Sequence, residues 1–479
     1  MNTGSTGQVI GISIASLLVI GWGAAMSLYF GRRAKTSRDW LSAGESLPLF
    51  VVVITQFAAA AGGGVLIAHV GIGYQSGWSV FIYEGCVLVG FLLLTLIARW
   101  LREQSFTTVP DVVTRLFGQH RLVTSIAALA ALVVPFGWIV TQFVAFAKLF
   151  GQLTGISTPV LVAVITVASL TFVLPGGLTS VAWADFVFGI FKIAMALAVA
   201  FYGIHLAGGW DHITKTVPAK LWSAEGFTAV GWQQAWLWVA AIIPGTLTNQ
   251  LYYQRVFATK KVSDARKGLA FSGATMLVSG VYAGCIGLTV RSMNPNLTNP
   301  EDAAGWLLTQ LPSWMLIAFA AFLVATIVAT SGAALQSTVA TLTRDVYQNI
   351  GGKDAGERRT VALSRIITVV VAALGAMLAI AFPAALAWLV ATYAYSAAAL
   401  AAPIFLGYAL HRRRQLKPVA AIGSMVAGLV GCGAAQLLGT TVPYAVYGIA
   451  TSAVVLLVLT AATSEKRTPA TPQKVVSNA

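Results

Sequence analysis

Charge is scarce in this chain. Only 9% of its 479 residues are Asp, Glu, Lys or Arg, against about 25% in a soluble domain. That is too little to cover a water-facing surface, which excludes a soluble enzyme and a disordered tail protein. Acidic residues are scarcest, 15 against 30 basic ones, for a formal net charge of +15. The surplus does not mark a nucleic-acid binder, because the basic residues sit in short loops between long apolar stretches. Cysteine is nearly absent too. Cys86, Cys285 and Cys432 all fall in apolar segments without metal-type spacing, so they read as buried thiols, which excludes a disulfide scaffold. What the chain has is hydrophobicity, 57% of residues, in runs recurring from end to end. This is the pattern of a polytopic membrane protein.

A hydrocarbon core about 30 Å thick needs about 20 helical residues. Apolar windows bounded by charged or Pro/Gly-rich breaks predict spans at 8–30, 47–71, 77–100, 121–152, 157–175, 180–207, 232–252, 267–291, 313–344, 360–382, 384–411, 418–438 and 443–463. The expected fold is therefore all-α with 13 transmembrane helices. A barrel strand would alternate, and these runs are continuously apolar. The first run follows a leader without positive charge and ends at Arg32, Arg33 and Lys35, so it reads as a retained helix rather than a signal peptide.

Lys and Arg set the expected orientation. With the N-terminus outside, 25 of the 30 fall in inner loops and the tail, including Arg38, Arg102, Arg255, Arg344 and Arg412. Lys215, Lys220 and Arg291 lie outside, and Lys148 and Lys192 lie within spans. A missed helix would flip every later loop and destroy this bias. The C-terminus is thus expected in the cytoplasm of a cell (inner or plasma) membrane, with the surplus charge facing anionic lipid. No nucleic-acid partner and no obligate protein partner is indicated.

Four ionisable side chains other than histidine sit within spans: Glu84, Lys148, Asp185 and Lys192. A central charge costs about 2.5–3.5 kcal/mol on insertion scales, so each needs a reason. Lys148 is near the outer end of its helix and is expected to snorkel. Lys192 is deeper and either meets a helix carbonyl or lines a water path. Asp185 precedes it by seven residues, roughly 10 Å along one helix face, too far for direct pairing. It reads either as a cap on a neighbouring helix or as a cation or proton site. Glu84 has no basic residue of like depth nearby in sequence and is expected to line a pathway. His69 and His205 read more simply as hydrogen-bonded structure.

The second span holds Gly62-Gly63-Gly64 at its centre, each glycine costing a helix about 1 kcal/mol against alanine. Such a run marks either unwinding or close helix contact. Five spans on, Ile243-Pro244-Gly245 is expected to interrupt the helix at 232–252. Interrupted helices at matching places in two halves point to an inverted-repeat transporter with its site between the breaks.

Four motifs now resemble those of the sodium:solute symporter family, which includes sodium–glucose, proline, sialic acid, pantothenate and monocarboxylate symporters. Arg38-Asp39-Trp40-Leu41-Ser42-Ala43-Gly44-Glu45-Ser46-Leu47-Pro48 resembles the loop before the first core helix, and Gly71-Ile72-Gly73-Tyr74 that helix's end. The run from Gly176-Gly177-Leu178 through Val181 and Trp183 to Asp185 is similar to the family's most specific signature. Asn249-Gln250 with Gln254-Arg255 and Ala265-Arg266-Lys267-Gly268 resembles the loop after the sixth core helix, and Thr341 to Tyr347 the end of the eighth.

The resemblance implies a LeuT-like core of 5+5 inverted repeats, here 47–207 and 232–411. Around it lie a first helix and loop (1–46), an external loop (208–231), two C-terminal helices (412–463) and a tail (464–479) expected to be disordered. It implies Na⁺ as coupling ion, held by oxygens at Ala58, Ala61, Thr326, Ala329 and Thr330. Ala329 departs from the family's hydroxyl at that position, and Ser331 beside it points elsewhere. Gly332 and Ala333 stand where some members build an additional site, leaving Asp185 there alone. At most one sodium site is therefore implied, and weak or absent sodium coupling stays open. The implied solute contacts are Val65, Glu84, Ile242, Gly245 and Met276, too apolar for a sugar. The expected function is secondary active symport of a small organic solute with Na⁺ by alternating access. The alternatives are a proton-coupled or uncoupled carrier of the same fold, and a non-transporting sensor or scaffold. No catalytic constellation is present, so an enzyme is not expected.

Overall fold

The apolar runs all become helix. The computed structural model describes residues 6–32, 34–104, 106–352 and 356–464; Arg33, Lys353 and the tail beyond 464 lie outside them. The helices are α1 (Thr6–Gly31), α2 (Ser37–Ser42), α3 (Leu49–Ala60), α4 (Val70–Ser76), α5 (Val80–Glu103), α6 (Val109–Phe117), α7 (Arg121–Thr154), α8 (Thr158–Val173), α9 (Gly177–Leu206), α10 (Trp210–Thr216) and α11 (Ala219–Trp222). They continue as α12 (Trp232–Thr246), α13 (Gln250–Ala258), α14 (Val262–Met293), α15 (Ala303–Gln310), α16 (Ser313–Thr341), α17 (Gly356–Ala381), α18 (Ala385–Ala401), α19 (Gly407–His411), α20 (Pro418–Leu437) and α21 (Tyr444–Thr463). Ten helical stretches among the described residues are long and apolar enough to cross a membrane. Helices α3 and α8 are apolar but shorter.

Burial sorts them. From Phe319 to Thr341, nearly every residue of α16 is buried, as expected of a helix hydrophobic all round. It packs on α7, α9 and α1, while α3 lies against α9, α14 and α16. Helix α1 instead exposes Ile10, Ile14, Leu17, Leu18 and Trp22, an apolar face that suits lipid and not water. All three cysteines are free and buried, as their sequence context indicates.

The first break falls at the glycines. Helix α3 stops at Ala60, Ala61 adopts φ −83° and ψ 73°, and a π-helical turn at Val65–His69 leads into α4. A Cβ on Gly63 would lie 2.3 Å from the Ala145 Cβ of α7, and one on Gly62 2.6 Å from Thr330 of α16. Unwinding and close contact therefore coincide at this point. Gly63→Ala is expected to cost about 1–3 kcal/mol through overpacking and to lower the melting temperature. Gly85→Ala, with open space at its Cβ, serves as control and is expected to be neutral or mildly stabilising.

The second break is not where the sequence places it. Helix α12 continues through Pro244 to Thr246, and the interruption comes at 247–249. Proline removes its own N–H and crowds the carbonyl four residues back, which can kink a helix without ending it. Asn249 ends the interruption, because its side-chain oxygen accepts from the Leu251 N–H at 3.0 Å and caps α13. The short α13 then runs back into the protein, with every residue from Gln250 to Ala258 buried. Arg255 is thus fully buried and not the loop residue its flanking charges suggest.

The motif segments meet in space. The Leu47 N–H donates to Ala258 O at 3.0 Å and the Lys260 N–H to Leu47 O at 2.8 Å, joining the entry of α3 to the exit of α13. Gln336 donates to Trp40 O at 2.7 Å, Gln254 to Leu41 O at 2.9 Å, and Thr179 to Asp39 O at 2.7 Å. Gly177, at φ +56°, faces Trp40 so closely that a Cβ would lie 2.4 Å from its carbonyl oxygen. Glu45 pairs with Arg102 at 2.7 Å and also with Arg38.

Candidate functional site

A helix break must dispose of the carbonyls it frees. The Gly62 N–H donates to Ala60 O and the Val65 N–H to Gly62 O, so Ala58 O and Ala61 O lose their usual helical partners. Both accept instead from the Lys192 ammonium of α9, each at 2.7 Å. Ala58 O also accepts from Thr330 Oγ1 of α16 at 3.0 Å. Of the two sequence readings of Lys192, the helix carbonyl is the one realised. Its side chain is buried, and the carbonyls lie at the negative end of α3, where a cation is favoured.

At the positions implied for Na⁺, the Ala58 and Ala61 carbonyls already accept from Lys192, and the Thr330 hydroxyl donates to Ala58 O. Ala329 is fully buried and contributes no side-chain oxygen, and Ser331 turns away to donate to Ile327 O. Thr326 is implied to offer its backbone carbonyl, and its hydroxyl is buried without a hydrogen-bond partner. A hard cation takes about six oxygens, and the two best placed here already hold an ammonium.

Asp185 lies on the same helix and caps nothing. Its Oδ2 accepts from Thr55 Oγ1 of α3 at 3.0 Å and from Arg255 Nη2 at 3.4 Å, with both charged side chains fully buried. The Arg255 guanidinium also donates to Leu251 O. This ion pair ties α9 to α13.

On the other side of the glycines lies a small chamber of about 20 Å³. Val65, Glu84 and Met276 line it; Ile242 and Gly245 are buried nearby but do not. Gly245 packs instead on the Tyr393 ring, where a Cβ would lie 2.3 Å away. Glu84 has the basic partner that its sequence neighbourhood lacks: its Oε1 lies 2.8 Å from His69 Nδ1. The turn between α4 and α5 folds residues fifteen apart back on each other. Tyr83 lies against the imidazole at 4.3 Å between ring centres. Trp138, Tyr252 and Tyr393 complete an aromatic wall, the two tyrosine hydroxyls 3.1 Å apart. His69 Nε2 and Trp138 Nε1 are buried without hydrogen-bond partners, an arrangement that is costly unless a solute or water meets it.

Lys148 does not snorkel. It pairs with Glu301 beyond α14, since a carboxylate within reach satisfies an ammonium better than a stretched side chain does. His69, read in sequence as hydrogen-bonded structure, and Lys192 both sit at the first break. Their signal was depth within an apolar helix.

The model of the sodium:solute symporter family matches residues 40–431. The chain belongs to that family. It is 24% identical over 408 residues to the sodium/glucose cotransporter of Vibrio parahaemolyticus, covering 78% of this chain and 74% of that one. It is likewise 24% identical over 391 residues to the sodium/sialic acid symporter NanT of Aliivibrio fischeri, covering 76% and 74%. Its structure is similar to a substrate-bound, outward-open Na⁺-coupled sialic acid symporter, with TM-score 0.82 at 16% identity over 95% of this chain and 99% of that one. This sodium:solute symporter family member is accordingly a multi-pass membrane transporter and not an enzyme.

Proposed function

We propose that this protein is a secondary active symporter that carries a small organic solute by alternating access through the chamber beside its first helix break. The observation that carries the reading is the pair of broken helices, α3/α4 and α12/α13, with unpartnered polar groups at the chamber between them. The helix order supports the finer architecture: thirteen spans, with five per repeat in 47–207 and 232–411. One span precedes the repeats and two follow. The Lys and Arg bias supports an outside N-terminus and a cytoplasmic C-terminus, even with Arg255 removed from the loop tally.

The solute pairs an apolar or aromatic body, against Val65, Met276 and Tyr393, with a polar end that meets His69 Nε2 and Trp138 Nε1. A chamber this small must open to admit it, as alternating access requires.

The relatives named for sodium support an inward Na⁺ gradient as the driving force. One specific observation favours the second reading, the same carrier driven by another ion or by none: the Lys192 ammonium on the two freed carbonyls. Uptake into proteoliposomes with an imposed Na⁺ gradient, pH gradient or neither separates these. Accumulation above equilibrium under one gradient is expected; solute that never crosses under any condition refutes the carrier reading.

A further inference from the structure

The freed carbonyls of Ala58 and Ala61 form a cation-seeking position by elementary physics: two unpaired, buried oxygens at the negative end of a helix. This chain brings its own cation. We propose that Lys192 is the resident cation of this position, a tethered ammonium that takes the place of Na⁺, so that the protein holds no sodium ion between α3 and α16. The inference rests on the carrier reading for its meaning in transport, and is decided by ion binding alone.

Three observations converge on it. The ammonium donates to both carbonyls at 2.7 Å, spending the oxygens a metal ion would need. On the facing helix α16 the Thr330 hydroxyl already donates to Ala58 O, and Ala329 offers no side-chain oxygen. Among the described residues, Asp185 is the acidic group whose charge acts on Lys192, and it already answers Arg255. Helices α3, α8 and α16 carry no acidic or basic residue. Asp185, two turns away on α9, is held by Arg255 and Thr55. A metal ion entering beside the ammonium would meet an unscreened like charge in a low-dielectric interior.

The tether also explains how the break survives without an ion. A covalently attached ligand binds intramolecularly, so the position stays filled at any external ion concentration. The first helix break is thus held closed by α9 itself.

Melting temperatures of the purified full-length protein in NaCl, KCl and choline chloride at constant ionic strength test this. The wild type is expected to melt alike in all three salts. Lys192→Ala, which vacates the position, is expected to melt several degrees lower in choline and to recover saturably in Na⁺. Lys192→Met, which fills the space without charge, is expected to melt lower in every salt. A saturable, Na⁺-specific rise in the wild type overturns the proposal, and so does Lys192→Ala melting unchanged. If neither variant folds, the wild-type titration still decides. Failure of the carrier reading registers differently, as absent solute uptake with this salt pattern intact.

Discussion

Arg255→Met is expected to destabilise the protein by about 3–5 kcal/mol, because it strands the Asp185 carboxylate in the interior. Removing one member of a buried ion pair leaves an uncompensated charge, which costs far more than the net worth of the pair. Both side chains here are fully buried, and Thr55 is the other partner of Asp185. Asp185→Asn should be milder, since an amide still accepts from Thr55 while Arg255 keeps its bond to Leu251 O. The double variant Arg255→Met with Asp185→Leu is expected to regain much of the loss, as apolar replacements of buried pairs often do. Melting temperature and survival of the folded peak in size-exclusion chromatography after heating measure all three. A double variant that melts no higher than Arg255→Met alone would show that the two groups do not act as a pair.

Glu84→Ala is expected to reduce solute uptake about 10- to 100-fold, the equivalent of about 1–3 kcal/mol for a buried group left without its partner. The carboxylate holds His69 Nδ1 at 2.8 Å and thereby aims Nε2. Without it, both imidazole nitrogens are orphaned and the ring is free to turn against Tyr83. Glu84→Gln keeps an acceptor in place and is expected to retain more uptake than Glu84→Ala. Initial uptake rates across solute concentration separate a weakened solute site, which raises the half-saturating concentration, from a slowed carrier. Combining Glu84→Ala with His69→Leu should add little, because either change alone breaks the same unit. Full uptake by Glu84→Ala would remove this pair from the solute path.

Several features were legible in the sequence because they are local. The Gly62–Gly64 break announced itself through backbone cost. Glu84, Asp185 and Lys192 announced themselves as charges at membrane depth. What misled were features whose outcome depends on a distant partner. Pro244 looked like a break, but the helix ends where Asn249 caps the next one. Arg255 looked like a loop residue because basic residues follow it, yet α13 turns inward and buries it. Glu84 looked unpartnered, although His69 reaches it across the turn into α5. Lys148 looked like a snorkelling residue, although Glu301, 153 residues on, answers its charge.

The sequence by itself determined that this is a helical membrane protein, where its apolar runs lie, and which few charges need explaining. These follow from hydropathy and backbone preference, which act within a few residues. Only the tertiary structure decided who answers each buried charge: Arg255 for Asp185, His69 for Glu84, and the carbonyls of Ala58 and Ala61 for Lys192. Buried charges are settled by whichever partner packing brings within about 3 Å, and helix packing joins residues that no local pattern connects.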